Sequence, residues 1–235
     1  MERKGRLRLA GAAAGAVNGA FGGGGGMVMA PMLALWCGME QKRALATCVG
    51  VILPLCVLSA GIYVLRGGFD WLTALPYLIG GGSGGRSAVP EGQQHMAAAD
   101  LCPVPAVRRR EVSAVTEWLL PLLVGVGTGI LSAWGVGGGT LLLLIMTLFL
   151  GVDQRTAQGI NLLYFLPTAG AGLLFHRKSG LLDRDALRQA VPWGLATAAL
   201  AAWAATAIDT ELLRRPFGVY LLVMGVVTLV KKDDE

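Results

Sequence analysis

The chain has 235 residues, of which 54% are apolar and only 15% are charged, and its mean hydropathy is +0.59. This composition is typical of a polytopic membrane protein and excludes a soluble domain built around one large core. The formal net charge is +5. Because the basic residues flank apolar segments, this charge reports orientation in a membrane and does not imply nucleic-acid binding.

Seven uncharged segments follow one another along the chain and predict membrane-embedded helices. They span residues 9–39, 44–65, 71–85, 119–152, 156–175, 189–208 and 216–230. The third segment is the weakest because its end is rich in glycine. The first and fourth segments are well beyond the roughly 20 residues that one membrane helix needs. Each of these two contains a triple glycine near its middle, so we expect a broken helix in both.

Basic residues predict which ends of these segments lie in the cytoplasm. A basic run over residues 3–8 precedes the first segment, which has no small-residue cleavage site, so we expect a retained helix and a cytoplasmic amino terminus. The runs 176–178 and 231–232 predict the same side for the loop after the fifth segment and for the carboxyl terminus. These marks require an even number of spans. The sequence contains seven apolar segments, so we expect eight spans unless the topology is irregular.

Residues 86–116 interrupt the pattern, because Pro, Ala and Arg alternate there without a helical apolar face. One interpretation is a polar linker. The other is a frameshift, since moving the frame by one base, with permitted codons, produces a basic loop followed by an apolar helix. We therefore predict residues 1–85 as a first membrane repeat of three spans and 117–235 as a second repeat of four spans. Between them, 86–116 is an irregular linker or a frameshifted fourth helix.

One pattern occurs twice in the chain, 113 residues apart and without a gap. Phe21-Gly22 and Gly24-Gly25-Gly26 recur as Trp134-Gly135 and Gly137-Gly138-Gly139. Further matches, among them Pro54 with Pro167, continue downstream. The chain is thus a duplicated unit. We predict an all-α transmembrane bundle of two repeated halves, each beginning with a glycine-broken helix.

The broken helices form the predicted substrate site. A helix interrupted in the bilayer exposes backbone N–H groups, its amino-terminal end carries partial positive charge, and glycine lets the backbone approach a ligand. These properties favour a small anion bound near the repeat interface, and the alternative is that the glycines serve close helix packing. Polar residues at apolar depth complete the prediction. The predicted substrate-binding residues are Gly22, Gly24, Gly25, Gly26, Gly135, Gly137, Gly138, Gly139, Asn18, Ser132, Thr140 and Asn161.

Asn161 makes the two repeats unequal, because its counterpart in the first repeat is Cys48. Its amide is able to donate to a substrate oxygen, so we expect one off-centre polar contact rather than a symmetric pair. The alternative is a hydrogen bond between helices. For Thr47 and Thr168 we expect hydrogen bonds to neighbouring backbone carbonyls.

Motifs of catalysis and metal binding are absent from the sequence. It contains no P-loop, GxSxG, HExxH or dinucleotide fingerprint, and its four cysteines show no CxxC spacing. We therefore expect no enzymatic activity, no cofactor and no metal. The expected partners are a small anionic substrate and the lipid bilayer, without nucleic acid, and homo-oligomerisation is left open.

Three segments carry a family resemblance: GAVNGAFGGGGGMVMAPML, GILSAWGVGGGTLLLL and QRTAQGINLLYFLPTAGAGLLFHRKSG. They resemble the TauE/SafE sulfite exporter family over nearly all of residues 7–85 and 117–232. The resemblance implies an eight-helix transporter of two four-helix halves in the inner membrane, moving sulfite, thiosulfate or an organosulfonate. The chain departs from the family pattern in 86–116, where a fourth helix is expected. Two alternatives stay open, a membrane scaffold or sensor and a non-functional frameshift fusion of two half-transporters.

Overall fold

A computed structural model describes residues 2–66, 71–88, 114–133, 138–208 and 210–230 of the protein. Within these ranges the chain forms nine α-helices and no strand, which confirms the predicted all-α class. The helices are α1 (Arg3–Phe21), α2 (Gly25–Pro31), α3 (Gln41–Leu65), α4 (Trp71–Ala88), α5 (Ala114–Ala133), α6 (Gly138–Leu148), α7 (Gln154–Lys178), α8 (Arg184–Ala207) and α9 (Thr210–Val230). A π-helical stretch, Met32–Trp36, prolongs α2.

The first apolar segment folds into a helical hairpin with glycines at its tip. α1 ends before Gly22 (φ +65°), and Gly24 (φ +83°) precedes α2. Both residues have the left-handed backbone conformation that glycine adopts without strain. At the other end of the hairpin, Arg6 donates a hydrogen bond from Nη1 to the carbonyl of Trp36 (2.7 Å). The chain therefore turns back at the glycines, and both ends of the segment lie on the same face.

Contacts at the two ends of α8 define two faces of the bundle. Before its first turn, Asp183 forms an ion pair with Arg3 at the start of α1 (2.8 Å between Oδ2 and Nη2). Beyond its last turn, the carbonyl of Ile208 accepts a hydrogen bond from Nη2 of Arg155 at the start of α7 (2.7 Å). We call the first of these ends the N-terminal face and the second the opposite face. α1 and α8 therefore begin at the N-terminal face, whereas α7 begins at the opposite face.

The two halves are related by an inversion. Adding 113 to the bounds of α3, residues 41 and 65, gives 154 and 178, which are the bounds of α7. The two helices run in opposite directions, because Tyr63 late in α3 donates a hydrogen bond to Gln158 early in α7 (3.0 Å). Likewise, Gly50 early in α3 packs against Leu173 late in α7. Inverted repeats of this kind are a common architecture of membrane transporters.

Each half packs its first helix against the other half. The most extensive helix contacts join α1 to α8 and α4 to α5, which are equivalent pairs under the 113-residue offset. In the first interface, glycines at every fourth position of α1 lie against the backbone of small residues in α8. They are Gly11, Gly15 and Gly19, which face Ala190, Gly194 and Ala198. Small residues at this spacing let helix backbones approach closely, so the two halves interlock.

The outer surface of the bundle suits contact with lipid. Large apolar side chains are exposed on α8 and α9, among them Leu200 (70% exposed) and Leu222 (72% exposed). By length and hydropathy, α3 and α8 are the two described helices able to cross a membrane, while the apolar stretches over 25–36, 120–129, 138–148 and 215–224 are shorter. The number of spans stays a prediction. So does the linker over 86–116, because residues 89–113 lie outside the described residues.

Candidate functional site

A cavity of about 40 Å³ lies at the tip of the α1/α2 hairpin. The start of α6 and the middle turns of α3 and α7 complete its walls, so both halves contribute. Since one buried water needs roughly 10–15 Å³ of such space, the cavity has room for a small ion of a few heavy atoms. The lining residues are Asn18, Gly22, Gly23, Gly24, Gly26, Met27, Cys48, Val49, Ile52, Cys56, Gly138, Gly139, Thr140, Asn161 and Phe165.

Two helices begin at this cavity, and both begin with glycines. α2 starts at Gly25 and α6 starts at Gly138. The first N–H groups of a helix have no partner within the helix, and they give this end a partial positive charge. Gly26 and Gly139 line the cavity, so no side chain separates these helix starts from its interior. The backbone thus supplies an electropositive wall from each half.

Asn161 joins the two halves at the cavity. Its Nδ2 donates a hydrogen bond to the carbonyl of Gly22 (2.8 Å), and the side chain is only 2% exposed. Its Oδ1 has no partner in the described part of the chain. The hydrogen bond between the halves, which was the alternative to a substrate contact, is therefore present. The unpaired acceptor Oδ1 lies 3.0 Å from the Cβ position of Gly139, which also lines the cavity.

Asn18 places a second unsatisfied amide at the cavity. Its Oδ1 accepts a hydrogen bond from the thiol of Cys56 (3.5 Å), whereas its Nδ2 is buried without a partner among the described residues. Leaving a buried donor unpaired costs about 1–3 kcal/mol. A buried N–H₂ group beside an electropositive backbone wall is a suitable contact for an oxyanion.

The predicted site residues fall into three groups. Those that line this one cavity are Gly22, Gly24, Gly26, Gly138, Gly139, Thr140, Asn18 and Asn161. Gly25 is set apart, because a Cβ there would lie 2.7 Å from the carbonyl of Ala14, so its small size serves packing within the hairpin. Gly135 and Gly137 lie outside the described residues, as does the side chain of Ser132.

Tyr220 of α9 is a site residue that the sequence analysis missed. Its Oη donates a hydrogen bond to the carbonyl of Gly24 (2.8 Å), and its ring stacks on Phe21 with 5.4 Å between the centroids. This contact holds the glycine turn from the outside of the bundle. A tyrosine within an apolar run is the one sequence signal, and the fold alone connects it to a turn 196 residues away.

The two threonines have different partners. Thr168 donates to the carbonyl of Tyr164 one turn earlier (2.9 Å), as expected. Thr47 was expected to do the same, but its hydroxyl accepts a hydrogen bond from the Asp183 amide (3.1 Å), because the start of α8 packs beside α3. Among the described residues, no group of three or more His, Cys, Asp or Glu side chains is arranged to hold a metal ion.

At the N-terminal face, an ionic contact anchors α1 to α8. Burial by itself raises the pKa of Asp183, but the amide of Ala186, the charge of Arg3 and the amide of Asp185 together outweigh it and hold the pKa below its ordinary value. Asp183 is therefore a carboxylate at neutral pH.

Comparison with protein families gives one match. The family model described as Sulfite exporter TauE/SafE matches residues 1–90 and 119–234 of the chain. The unmatched stretch between these ranges overlaps the segment 86–116 that composition had set apart. Searches of curated proteins and of solved structures gave no match to the chain.

Proposed function

The chain belongs to the TauE/SafE sulfite exporter family of membrane transporters, and we propose that it carries sulfite, thiosulfate or an organosulfonate across the cell membrane through the cavity at the hairpin tip. The inverted arrangement of the halves supports alternating exposure of a central site to the two faces. The N-terminal face, with its basic run over residues 3–8, is the cytoplasmic one in this proposal.

The observation that carries this proposal is the combination of electropositive backbone and an unpaired amide N–H₂ group around one cavity. Two helix starts meet there, and Asn18 contributes an N–H₂ group without a partner. All of these groups are neutral hydrogen-bond donors. They therefore suit a small oxyanion that must bind and also leave, because a full positive charge at this depth would be costly and would hold the anion tightly.

Flux through proteoliposomes tests the proposal. The purified chain is reconstituted, and uptake of sulfite, thiosulfate and methanesulfonate is measured separately. Asn161→Asp keeps the size of the side chain but places a carboxylate where the anion would bind, so we expect flux to fall at least about tenfold through like-charge repulsion. Gln189→Glu is the matched control, because Gln189 pairs with Arg8 away from the cavity. Its flux is expected to match that of the wild type.

A membrane scaffold or sensor is the competing class. In that case the glycines serve only the packing seen at Gly25, and the wild type transports none of the three anions. Folded, correctly inserted protein without flux would therefore contradict the proposal. Equal flux in Asn161→Asp and the wild type would contradict the location of the site while leaving transport itself intact.

A further inference from the structure

Three amide side chains form a buried row on one side of α7. Gln154, Gln158 and Asn161 are spaced by four and three residues, which places them on the same side of a helix. Their exposed fractions are 4%, 0% and 2%. Each has one polar atom without a partner among the described residues: Nε2 of Gln154, Nε2 of Gln158 and Oδ1 of Asn161. Buried polar groups normally have partners, so three unsatisfied amides in a row need an explanation other than packing.

The row leads from the cavity to the opposite face. Asn161 lines the cavity, and Gln154 is the first residue of α7, at the end where Arg155 contacts the carbonyl of Ile208. Gln158 lies between them and contacts the hairpin tip, since a Cβ on Gly22 would collide with its side chain. The row therefore continues from the proposed site toward the face away from the amino terminus.

Tyr63 closes the row just beyond the cavity. Its Oη lies 3.0 Å from Oε1 of Gln158 and 3.2 Å from the carbonyl of Gly19, and the residue is only 4% exposed. One hydroxyl thus connects α1, α3 and α7 at a single point. Because Gln158 uses its oxygen in this contact, its N–H₂ group is the part left for a further partner.

The first half has no such row. Subtracting 113 from 154, 158 and 161 gives Gln41, Leu45 and Cys48 on α3. Gln41 is exposed, and the other two side chains carry no amide. If buried amides were needed only to hold the inverted halves together, both copies would be expected to contain them. The row therefore serves a function that differs between the two sides of the transporter.

We propose that this row is the passage between the central site and the opposite face, with the Gln158 N–H₂ group as a second contact for the anion. The proposal rests on the proposed function. In the closed state the Tyr63–Gln158 hydrogen bond blocks the passage. When this bond breaks, the anion leaves the hydrogen-bond donors of the cavity and binds the amide N–H groups of the row. Arg155, next to Gln154 at the start of α7, provides positive charge where the passage ends.

Two substitutions that remove the same hydrogen bond test the proposal. Gln158→Met keeps the length of the side chain but removes its N–H donors, whereas Tyr63→Phe removes the bond and leaves the amide. With whichever of sulfite, thiosulfate and methanesulfonate the wild type transports, we expect Gln158→Met to lower flux about tenfold, the usual effect of one lost hydrogen bond to a charged group. Tyr63→Phe should retain or increase flux. Leu45→Met, at the inverted position, should leave it unchanged.

Measuring the affinity for the anion distinguishes a residue of the passage from a residue of the central site. Equilibrium binding of the same anion to detergent-solubilised Gln158→Met should match the wild type, because the cavity is intact. Equal loss of flux in Gln158→Met and Tyr63→Phe would show that the hydrogen bond is only structural and would overturn the proposal. A wild type without flux would instead contradict the proposed function, so the two failures are distinguishable.

Thiol labelling gives a second test that does not depend on the methionine variant folding. Gln154→Cys and Leu45→Cys are each compared with the wild type, whose own cysteines supply the background. A membrane-impermeant methanethiosulfonate applied to the opposite face should modify Gln154→Cys, and methanesulfonate should slow the reaction. Leu45→Cys should not react from that face. Absence of labelling at position 154 in folded protein would overturn the passage.

Discussion

At the scale of single residues, neighbouring glycines in one run have different roles. Gly25 lies against Ala14 of α1, whereas Gly26 lines the cavity with the Cys48 sulfur 3.7 Å from its Cβ position. The first contact leaves no room for a methyl group, and the second is an ordinary van der Waals distance. Composition cannot separate these glycines, because both are part of the same five-glycine run.

Alanine at these two positions should separate folding from transport. Gly26→Ala should fold like the wild type, because its methyl group meets no backbone, but it should lower anion flux by narrowing the cavity. Gly25→Ala should instead lower the stability of the hairpin by about 1–3 kcal/mol, the usual cost of an overpacked site. Thermal unfolding in detergent and flux in proteoliposomes measure the two effects. Unchanged flux in folded Gly26→Ala would place the substrate elsewhere.

Several site residues were predictable because their residue type is unusual for the apolar helix that contains them. Asn161 and Asn18 are polar residues within apolar runs, and Gly22 to Gly26 interrupt a helix. Tyr220 was not predictable, since its partner Gly24 lies 196 residues away and tyrosine is common near membrane surfaces. The role that we propose for Gln158 was not predictable for the same reason. Its importance depends on Tyr63, which the inverted fold brings to it.

At the scale of helices, close packing of small residues and a helix cap hold α1 against α8. Gly15 is the centre of the packing, because a Cβ there would overlap the carbonyl of Gly194. Asp183 caps α8 by accepting hydrogen bonds from the amides of Asp185 and Ala186 (both 3.0 Å). The membrane supplies little hydrophobic force between helices, so such contacts determine which helices pair.

A bulky side chain in this interface should prevent assembly of the bundle. Gly15→Leu is expected to lower stability by more than about 1–3 kcal/mol, since the α1 and α8 backbones must separate. Gly61→Leu is the matched control in α3, because nothing lies within 4 Å of its Cβ position. The fraction of monodisperse protein after extraction in detergent measures both. Equal yields from the two variants would contradict the interface.

The ion pair of Asp183 should make stability depend on pH in acid. Its pKa in the folded protein is below the ordinary value of 3.8, so its charge stabilises the fold above that pH, and this contribution is lost as the pH falls through the lowered pKa. Asp183→Asn keeps the cap but removes the charge. At pH 7 the wild type should be more stable than Asp183→Asn by about 0.5–1 kcal/mol, and it should therefore unfold at a higher temperature. The difference should vanish in strong acid, and a difference independent of pH would contradict it.

At the scale of the whole molecule, the inversion of the halves places the candidate site between the two faces. α1 begins at the N-terminal face and α7 at the opposite face, and both glycine-led helix starts, of α2 and α6, meet between them. Relative movement of the closely packed pairs α1/α8 and α4/α5, each of which joins the two halves, would expose the site to either side.

Cysteine labelling in intact cells should report the orientation. Arg66→Cys, at the end of α3, should react with an impermeant thiol reagent added outside. Ser179→Cys, in the loop before α8, should react only after the membrane is permeabilised, because Asp183 in that loop pairs with Arg3 beside the amino terminus. The unmodified chain supplies the background. The reverse pattern would place the amino terminus outside.

The remaining prediction concerns residues 86–116. α9 covers residues 210–230, and subtracting 113 from its bounds gives 97–117, a stretch that overlaps the part without a family match. We therefore expect genomic DNA across codons 80–120 to carry a one-base shift relative to a frame that encodes a helix. The repaired reading frame should then transport faster than the present chain. If the frame is unbroken in the source DNA, the frameshift hypothesis is wrong.

The sequence by itself determined the helical class, the duplication, the broken first helix and the family, because each depends on local composition or on a fixed spacing along the chain. Only the tertiary structure decided that the first segment is a hairpin and that the repeats are inverted and interlocked. It also decided that Asn18, Asn161 and two helix starts share one cavity. The inversion and the shared cavity depend on contacts between residues far apart in the chain, such as Tyr63 with Gln158 and Asn161 with Gly22. No periodicity within one segment specifies which distant backbone a side chain will meet.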